Sequence, residues 1–142
     1  MKILSLIQVT IQFSCIILLA LMYKQMHLAG LIFIIAGSAL GFVAIWQMRK
    51  SRLSILPEIT KGATLINSGL YSVIRHPMYL AVILASLGLA INSNSYLSIV
   101  ILFILVIDLF FKSNREEKLL EKEFIEYAIY KKKTNKIIPG VY

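Results

Sequence analysis

Two short blocks of this 142-residue chain carry side chains able to do chemistry. The first runs Thr64-Leu65-Ile66-Asn67-Ser68-Gly69-Leu70-Tyr71-Ser72-Val73-Ile74-Arg75-His76-Pro77-Met78-Tyr79. Gly69 allows a tight turn or a close backbone approach to a ligand. Pro77 suits the first turn of a helix, where its missing N–H costs nothing. Arg75 and His76 therefore precede a helix amino terminus, whose free N–H groups favour anions. Tyr79 lies three residues beyond His76, on the same helix face. A ligand carrying a carboxylate or phosphate suits this block, and so does the ordinary role of a basic-aromatic anchor at a membrane interface. The second block is Arg115-Glu116-Glu117. A carboxylate there can hold a ribose hydroxyl or an amine, or simply complement the start of a helix.

The elements that must position these blocks are membrane spans. Hydrophobic residues make up 58% of the chain and charged residues 15%, whereas soluble domains average about 45–50% and about 25%. The mean hydropathy is +0.79. The net charge of +8 could suit nucleic acid, but this apolar excess argues against such a partner. One Cys and two His exclude a disulfide scaffold and a Cys-rich zinc site. Neither a metal-ligand spacing, a Ser-His-Asp arrangement nor a phosphate loop is present. Residues 3–23 and 28–48 are uncharged runs of 21 residues, enough to cross about 30 Å of hydrocarbon. The first is too long for a signal-peptide core and lacks a cleavage pattern before Lys24, so it reads as a retained span. Residues 76–92 and 95–112 read as a helical hairpin around Asn92-Ser93-Asn94-Ser95. The connector 49–75 and tail 113–142 are polar. With four spans and an inside amino terminus, 14 of the 15 Lys and Arg residues fall on one side, Lys24 being the exception. Such an excess marks the cytoplasmic side. The expectation is one all-α domain over 1–142, multi-pass in a bacterial cell membrane, with both termini cytoplasmic.

The tail reads as an amphipathic helix from Asn114 to about Lys133, with Leu120, Phe124 and Tyr127 as its apolar stripe. Ser113 and Glu116 have capping-box spacing, Lys131-Lys132-Lys133 suits the helix end or anionic headgroups, and Ile137-Ile138-Pro139 closes the chain as an extended segment. Gly37 and Gly41, with Ala36 and Ala44 nearby, make a small-residue packing face, as do Ala81, Ala85 and Gly88. They can pack within one chain or between two. Gln8 and Gln12, one turn apart in the first span, suit interhelical bonding or the lining of a lipid entrance. Asp108 is an intramembrane acid near the interface. Cys15 reads as buried filler and His27 as an outer-loop residue.

Gly69-Leu70-Tyr71, Arg75-His76-Pro77-Met78-Tyr79, a short hairpin, Glu116-Glu117, then Phe124, Tyr127, Tyr130 and Ile138-Pro139 form a combination that resembles a known membrane family. It is similar to the isoprenylcysteine carboxyl methyltransferases and the related phospholipid N-methyltransferases, over roughly residues 57–139. The first two spans match by hydropathy and position. The resemblance implies a cytoplasmic site for S-adenosylmethionine, formed by Ala63, Thr64, Leu65, Ile66, Tyr71, Arg75, His76, Pro77, Met78, Tyr79 and Glu116. It also implies a cation near the acceptor. Where the prenyl-protein enzymes carry Arg shortly before the Glu pair, this chain has Lys112, with Arg115 a second candidate; Lys lacks the bidentate fork of Arg. The family's Gly before its Glu-Tyr is replaced here by Ile125, in Ile125-Glu126-Tyr127.

The implied reaction is methyl transfer to a membrane-embedded acceptor, a lipid-like or prenylated molecule entering from the bilayer. Positioning supplies much of the rate in such an in-line displacement, and a dry pocket helps where charge is lost. A carboxylate acceptor needs no general base. An amine acceptor does, and His76 and Glu117 are the candidates. The alternatives are amine methylation of lipid headgroups, an NADPH-using reductase, and a non-catalytic membrane protein.

Overall fold

The computed structural model describes residues 2–49 and 64–140, and they are helical with no strand among them. Helix α1 spans Lys2–Leu21, α2 Leu28–Met48, α3 Pro77–Ser93, α4 Tyr96–Glu123 and α5 Tyr127–Lys133. A single 3-10 turn, Gly69–Ser72, precedes α3. Helices α1, α2 and α4 are each long and apolar enough to cross a membrane. The 17-residue α3 reaches about 25 Å and packs against all three. The protein is thus an all-α membrane protein of about four spans, and α1, α2 and α4 expose many Ile, Leu and Phe side chains along their length.

Two helix pairs build the bundle. Helices α2 and α3 meet through glycine and alanine. A Cβ on Gly37 would lie 2.5 Å from the Ala85 nitrogen and 2.7 Å from the Ala81 carbonyl oxygen. Only hydrogen fits there, so the small-residue face of α2 packs inside this chain. Helices α1 and α4 meet through Cys15, Leu19, Ile101, Leu105 and Leu109, all buried. At the far end Asn92 ties the turns together. Its carbonyl accepts the N–H groups of Lys24 and Gln25, and its side-chain oxygen accepts the His27 N–H at 2.9 Å. These bonds stop α1 at Leu21, two residues earlier than the apolar run suggests. They leave His27 in the loop as the backbone N-cap of α2.

The largest departure from the sequence reading concerns the tail. No helix starts at Ser113. Helix α4 runs unbroken from Tyr96 to Glu123, and the Ser113 hydroxyl donates to the Phe110 carbonyl at 2.8 Å, a back-bond available to any mid-helix serine. The capping-box reading is therefore wrong: four residues of spacing cannot interrupt a helix that both flanks already favour. Twenty-eight residues reach about 42 Å, so the turns beyond Lys112 stand outside about 30 Å of hydrocarbon. The break comes instead at Phe124-Ile125-Glu126, after which α5 turns back along α4. The last described residues then make an isolated parallel bridge, Ile74 to Asn135.

Candidate functional site

The segment before α3 is held on both sides. Gln47 of α2 accepts the Leu70 N–H at 2.9 Å. Gly69, at φ +63°, lies so close to Gln47 that a Cβ would sit 2.5 Å from its side-chain nitrogen; both the left-handed backbone and the contact call for glycine. From the other side the tail supplies a rail. The Arg75 N–H donates to the Asn135 carbonyl at 2.9 Å, the His76 N–H to the Lys136 carbonyl at 3.0 Å, and the Asn135 N–H to the Val73 carbonyl at 3.0 Å. The Tyr130 hydroxyl donates to the Tyr71 carbonyl at 2.6 Å.

Side chains from α3 and α4 meet above this rail. The Arg75 guanidinium donates to Glu117 at 2.6 Å, to the Lys131 carbonyl at 3.1 Å and to the Thr134 carbonyl. The Tyr79 hydroxyl donates to Glu116 at 2.6 Å. The His76 ring stacks on Tyr79, with centroids 5.1 Å apart and planes 2° from parallel. Its two nitrogens lie 3.7 Å from Glu116 and 3.4 Å from Glu117. Burial would raise the Glu117 carboxyl, but His76 and Arg75 outweigh it and hold it down at about 2. Burial, reinforced by Glu116, pushes the Tyr71 hydroxyl up to about 12. Burial likewise pushes Tyr127 and Tyr130 upward. These phenols stay neutral at physiological pH.

A cavity of about 140 Å3 opens over this cluster, lined by Tyr71, Arg75, His76, Pro77, Met78, Tyr79, Lys112 and Glu116, and also by Gln12, Met48, Val82 and Leu120. Eight of the residues expected from the sequence thus converge on one space. Leu65 and Ile66 line a smaller, adjacent cavity of about 40 Å3 that shares Tyr71, Arg75 and Leu120. Thr64 is exposed, and Ala63 lies outside the described residues. Glu117 sits behind the first cavity, under Arg75 and His76. Arg115 turns away and donates to Ser5 of α1. Gln12 carried a legible signal, a polar residue inside a span, and it accepts from Lys112 at 3.1 Å. Met48 and Val82 carried none, being indistinguishable in sequence from lipid-facing residues, and Leu120 showed only as part of the apolar stripe of the tail.

The donor set fits one end of S-adenosylmethionine. A partly exposed carboxylate oriented by a phenol suits an ammonium or ribose hydroxyl, and aromatic faces suit a sulfonium. The described walls enclose less than the roughly 300–1,000 Å3 of small-molecule sites, so they account for part of such a ligand. Membrane-length helices with this polar, aromatic pocket at one end make up an integral membrane protein with a candidate ligand site at one boundary. The chain belongs to the phospholipid methyltransferase family, whose model matches residues 25–127. The match runs from the loop before α2 to the first residue of α5, leaving out α1. No curated protein matches the chain.

Proposed function

We propose that this protein methylates a membrane-embedded acceptor using S-adenosylmethionine, and that the pocket at the cytoplasmic end of α3 and α4 is its active site. The observation that carries the reading is Glu116, held by Tyr79 at 2.6 Å on the wall of a cavity inside the family-matched segment. Bound there, S-adenosylmethionine supplies an electrophilic methyl group on a cationic sulfur. Glu116 holds an ammonium or ribose hydroxyl, and Tyr79 fixes its carboxylate. The rings of Tyr71 and Tyr79 offer π faces to positive charge, and the His76 ring stacks on Tyr79. The acceptor headgroup of first choice is a lipid amine, in keeping with the family; a prenylcysteine carboxylate is the second. An amine must lose a proton before attack. Glu117, held at about 2, is too weak a base at neutral pH, so the proton acceptor on this side is His76, and Glu117 anchors it. The concentration of Lys and Arg on one side supports a cytoplasmic position for this pocket and both termini, where the methyl donor is available.

Calorimetry on the detergent-purified protein tests the reading. S-adenosylhomocysteine should bind, and NADPH should not. Glu116→Ala or His76→Ala should weaken that binding by at least about tenfold, the scale of one charge-assisted hydrogen bond. Binding of NADPH alone would move the protein to a reductase chemistry, and binding of neither would make it non-catalytic. Labelled methyl donor with amine- and carboxylate-bearing lipids then separates the two acceptors.

A further inference from the structure

The tail that supplies the rail beside His76 continues past it toward the bilayer. Near the end of α5, Lys131 donates to Glu121 of α4 at 2.7 Å. Five residues on, the Lys136 ammonium donates to Asn114 and lies 5.0 Å over the Phe110 ring. Between these contacts the tail descends along α4 by about 10 Å, from its aqueous turns toward its membrane turns. The bridge of Ile74 with Asn135 is parallel, and residues 74–76 lead into α3, so the tail runs toward the bilayer beside them. Lys136 and Ile137 are buried, and then the chain surfaces: Ile138 is 49% exposed and Pro139 is exposed as well. Gly140 has φ +76°, and a proline followed by a left-handed glycine favours a tight turn. The contact of Lys136 with Phe110 sets this apolar tip beside the part of α4 on the bilayer side of Lys112, where Phe110 and Phe111 are exposed too. Adjoining exposed apolar groups mark a surface that something covers, and beside a membrane helix at this depth the cover is acyl chain.

We propose that Ile138-Pro139-Gly140 is an interfacial anchor: the tip of the tail inserts into the lipid leaflet on the pocket's side, and the strap that fixes His76 is held at one end by the bilayer. Interfacial segments bury their apolar groups roughly 5–10 Å into the boundary of headgroups and acyl chains. Next to the tip stand Asn135 and Lys136, whose backbone carbonyls accept the Arg75 and His76 N–H groups. Lys136 suits such a boundary, because its stem can lie on apolar surface while its ammonium finds Asn114 and the Phe110 face. Ile125 supplies the contrast. It is 97% exposed, but it follows the end of α4, about 17 Å beyond Lys112, clear of the roughly 5–8 Å of headgroup region on each side of the hydrocarbon. The bilayer is the partner of this tip whatever reaction the pocket performs.

The test is tryptophan fluorescence of the full-length protein in vesicles of dioleoylphosphatidylcholine, with and without phosphatidylcholine brominated near the carboxyl end of its acyl chains. Trp46 is the chain's one tryptophan, so Trp46→Phe gives the background. In it, Ile138→Trp should be blue-shifted and lose about half its emission to the brominated lipid, as befits a group at the acyl boundary. Ile125→Trp should keep its emission and a water-like maximum. Equal quenching at the two positions, or a water-like maximum for Ile138→Trp, overturns the anchor. Ile138→Cys and Ile125→Cys, treated with a membrane-impermeant maleimide, repeat the comparison without an indole. The first should react at least about tenfold more slowly, and equal rates overturn the anchor as well. Amide hydrogen exchange in the same vesicles reads the link to the pocket. Ile138→Asp should speed exchange at Arg75 and His76 by about tenfold, the scale of one apolar side chain leaving lipid, and Ile138→Leu should not. Unchanged exchange in Ile138→Asp overturns the coupling of the tip to the strap.

Discussion

Glu117→Gln should be among the most destabilising single changes outside the bundle core. The Glu117 side chain is 6% exposed and takes a 2.6 Å bond from Arg75, whose own side chain is 8% exposed. Holding a carboxyl of ordinary value 4.5 down at about 2 corresponds to roughly 3 kcal/mol of stabilisation at neutral pH. Removing one partner of a buried pair costs a similar amount, about 3–5 kcal/mol, because the other charge is left behind. Thermal unfolding in detergent should therefore drop by on the order of 10 °C for Glu117→Gln. Arg75→Met should fall comparably, leaving Glu117 with His76 at 3.4 Å and Lys131 at 3.5 Å. The double variant should be far less than additive, with a coupling of about 2 kcal/mol. The pH dependence has a definite sign. A carboxyl lowered in the folded state contributes its full stability above about 4.5 and loses it as pH falls through about 2, so the unaltered protein should lose stability across that acid range and Glu117→Gln should not. Strict additivity of the two single changes, or the same acid profile in the Gln variant, would refute the reasoning.

Two further outcomes follow from geometry. Gly37→Ala should destabilise by about 1–3 kcal/mol, because the new carbon meets backbone at 2.5 Å. Gly41→Ala, whose Cβ would lie 3.4 Å from the Ala81 Cβ, should change the melting temperature little; equal effects would contradict the packing. Asn135→Pro removes the N–H that donates to the Val73 carbonyl at 3.0 Å, at a residue preceded by extended backbone at Thr134 that tolerates a following proline. It should cost about 1 kcal/mol and weaken S-adenosylhomocysteine binding by loosening His76, and unchanged affinity would show that the rail does not position the pocket.

What could be read from sequence was what depends on composition and local spacing. The spans, the hairpin turn and the glycine-alanine contact of α2 with α3 announce themselves through long apolar runs and small residues one turn apart. The cluster of Arg75, His76, Tyr79 and Glu116 was reachable through the resemblance that the two polar blocks carry together; the position of each beside a membrane helix also suits an ordinary interfacial or capping role. The tail was not reachable in the same way. Its bridge to residues 73–76 is made by backbone groups some 60 residues apart, and backbone groups carry no residue signature. Ser113 misled for a related reason: a capping pattern is a preference of about 1 kcal/mol, smaller than the cost of ending a helix that can continue. In sequence Glu117 reads as a candidate base beside the cofactor residue Glu116, and the fold of Arg75 against it shows it instead as a buried ion-pair partner.

That difference follows from the continuity of α4. Successive residues of an α-helix turn by about 100°. With Lys112 as zero, Asp108 and Arg115 fall near −40° and −60°, Glu116 and Leu120 near +40° and +80°, and Glu117 near +140°, all about. The first sector meets α1, where Arg115 reaches Ser5. The middle sector lines the cavity with Lys112, Glu116 and Leu120. The last sector receives Arg75, and through it the carbonyls of the returning tail. One rigid rod thus fixes the cation facing α1, the carboxylate on the cavity wall and the anchor of His76 at set angles to one another. Had a new helix begun at Ser113, as its spacing suggested, Lys112 would belong to the membrane and Glu116 to a separately mobile tail. Their relative placement would then have to be rebuilt for each turnover. In the proposed reaction, running the helix through the boundary would refer an acceptor held from the bilayer side and a donor held from the aqueous side to the same backbone, which is the condition that proximity catalysis sets for a transfer between two phases.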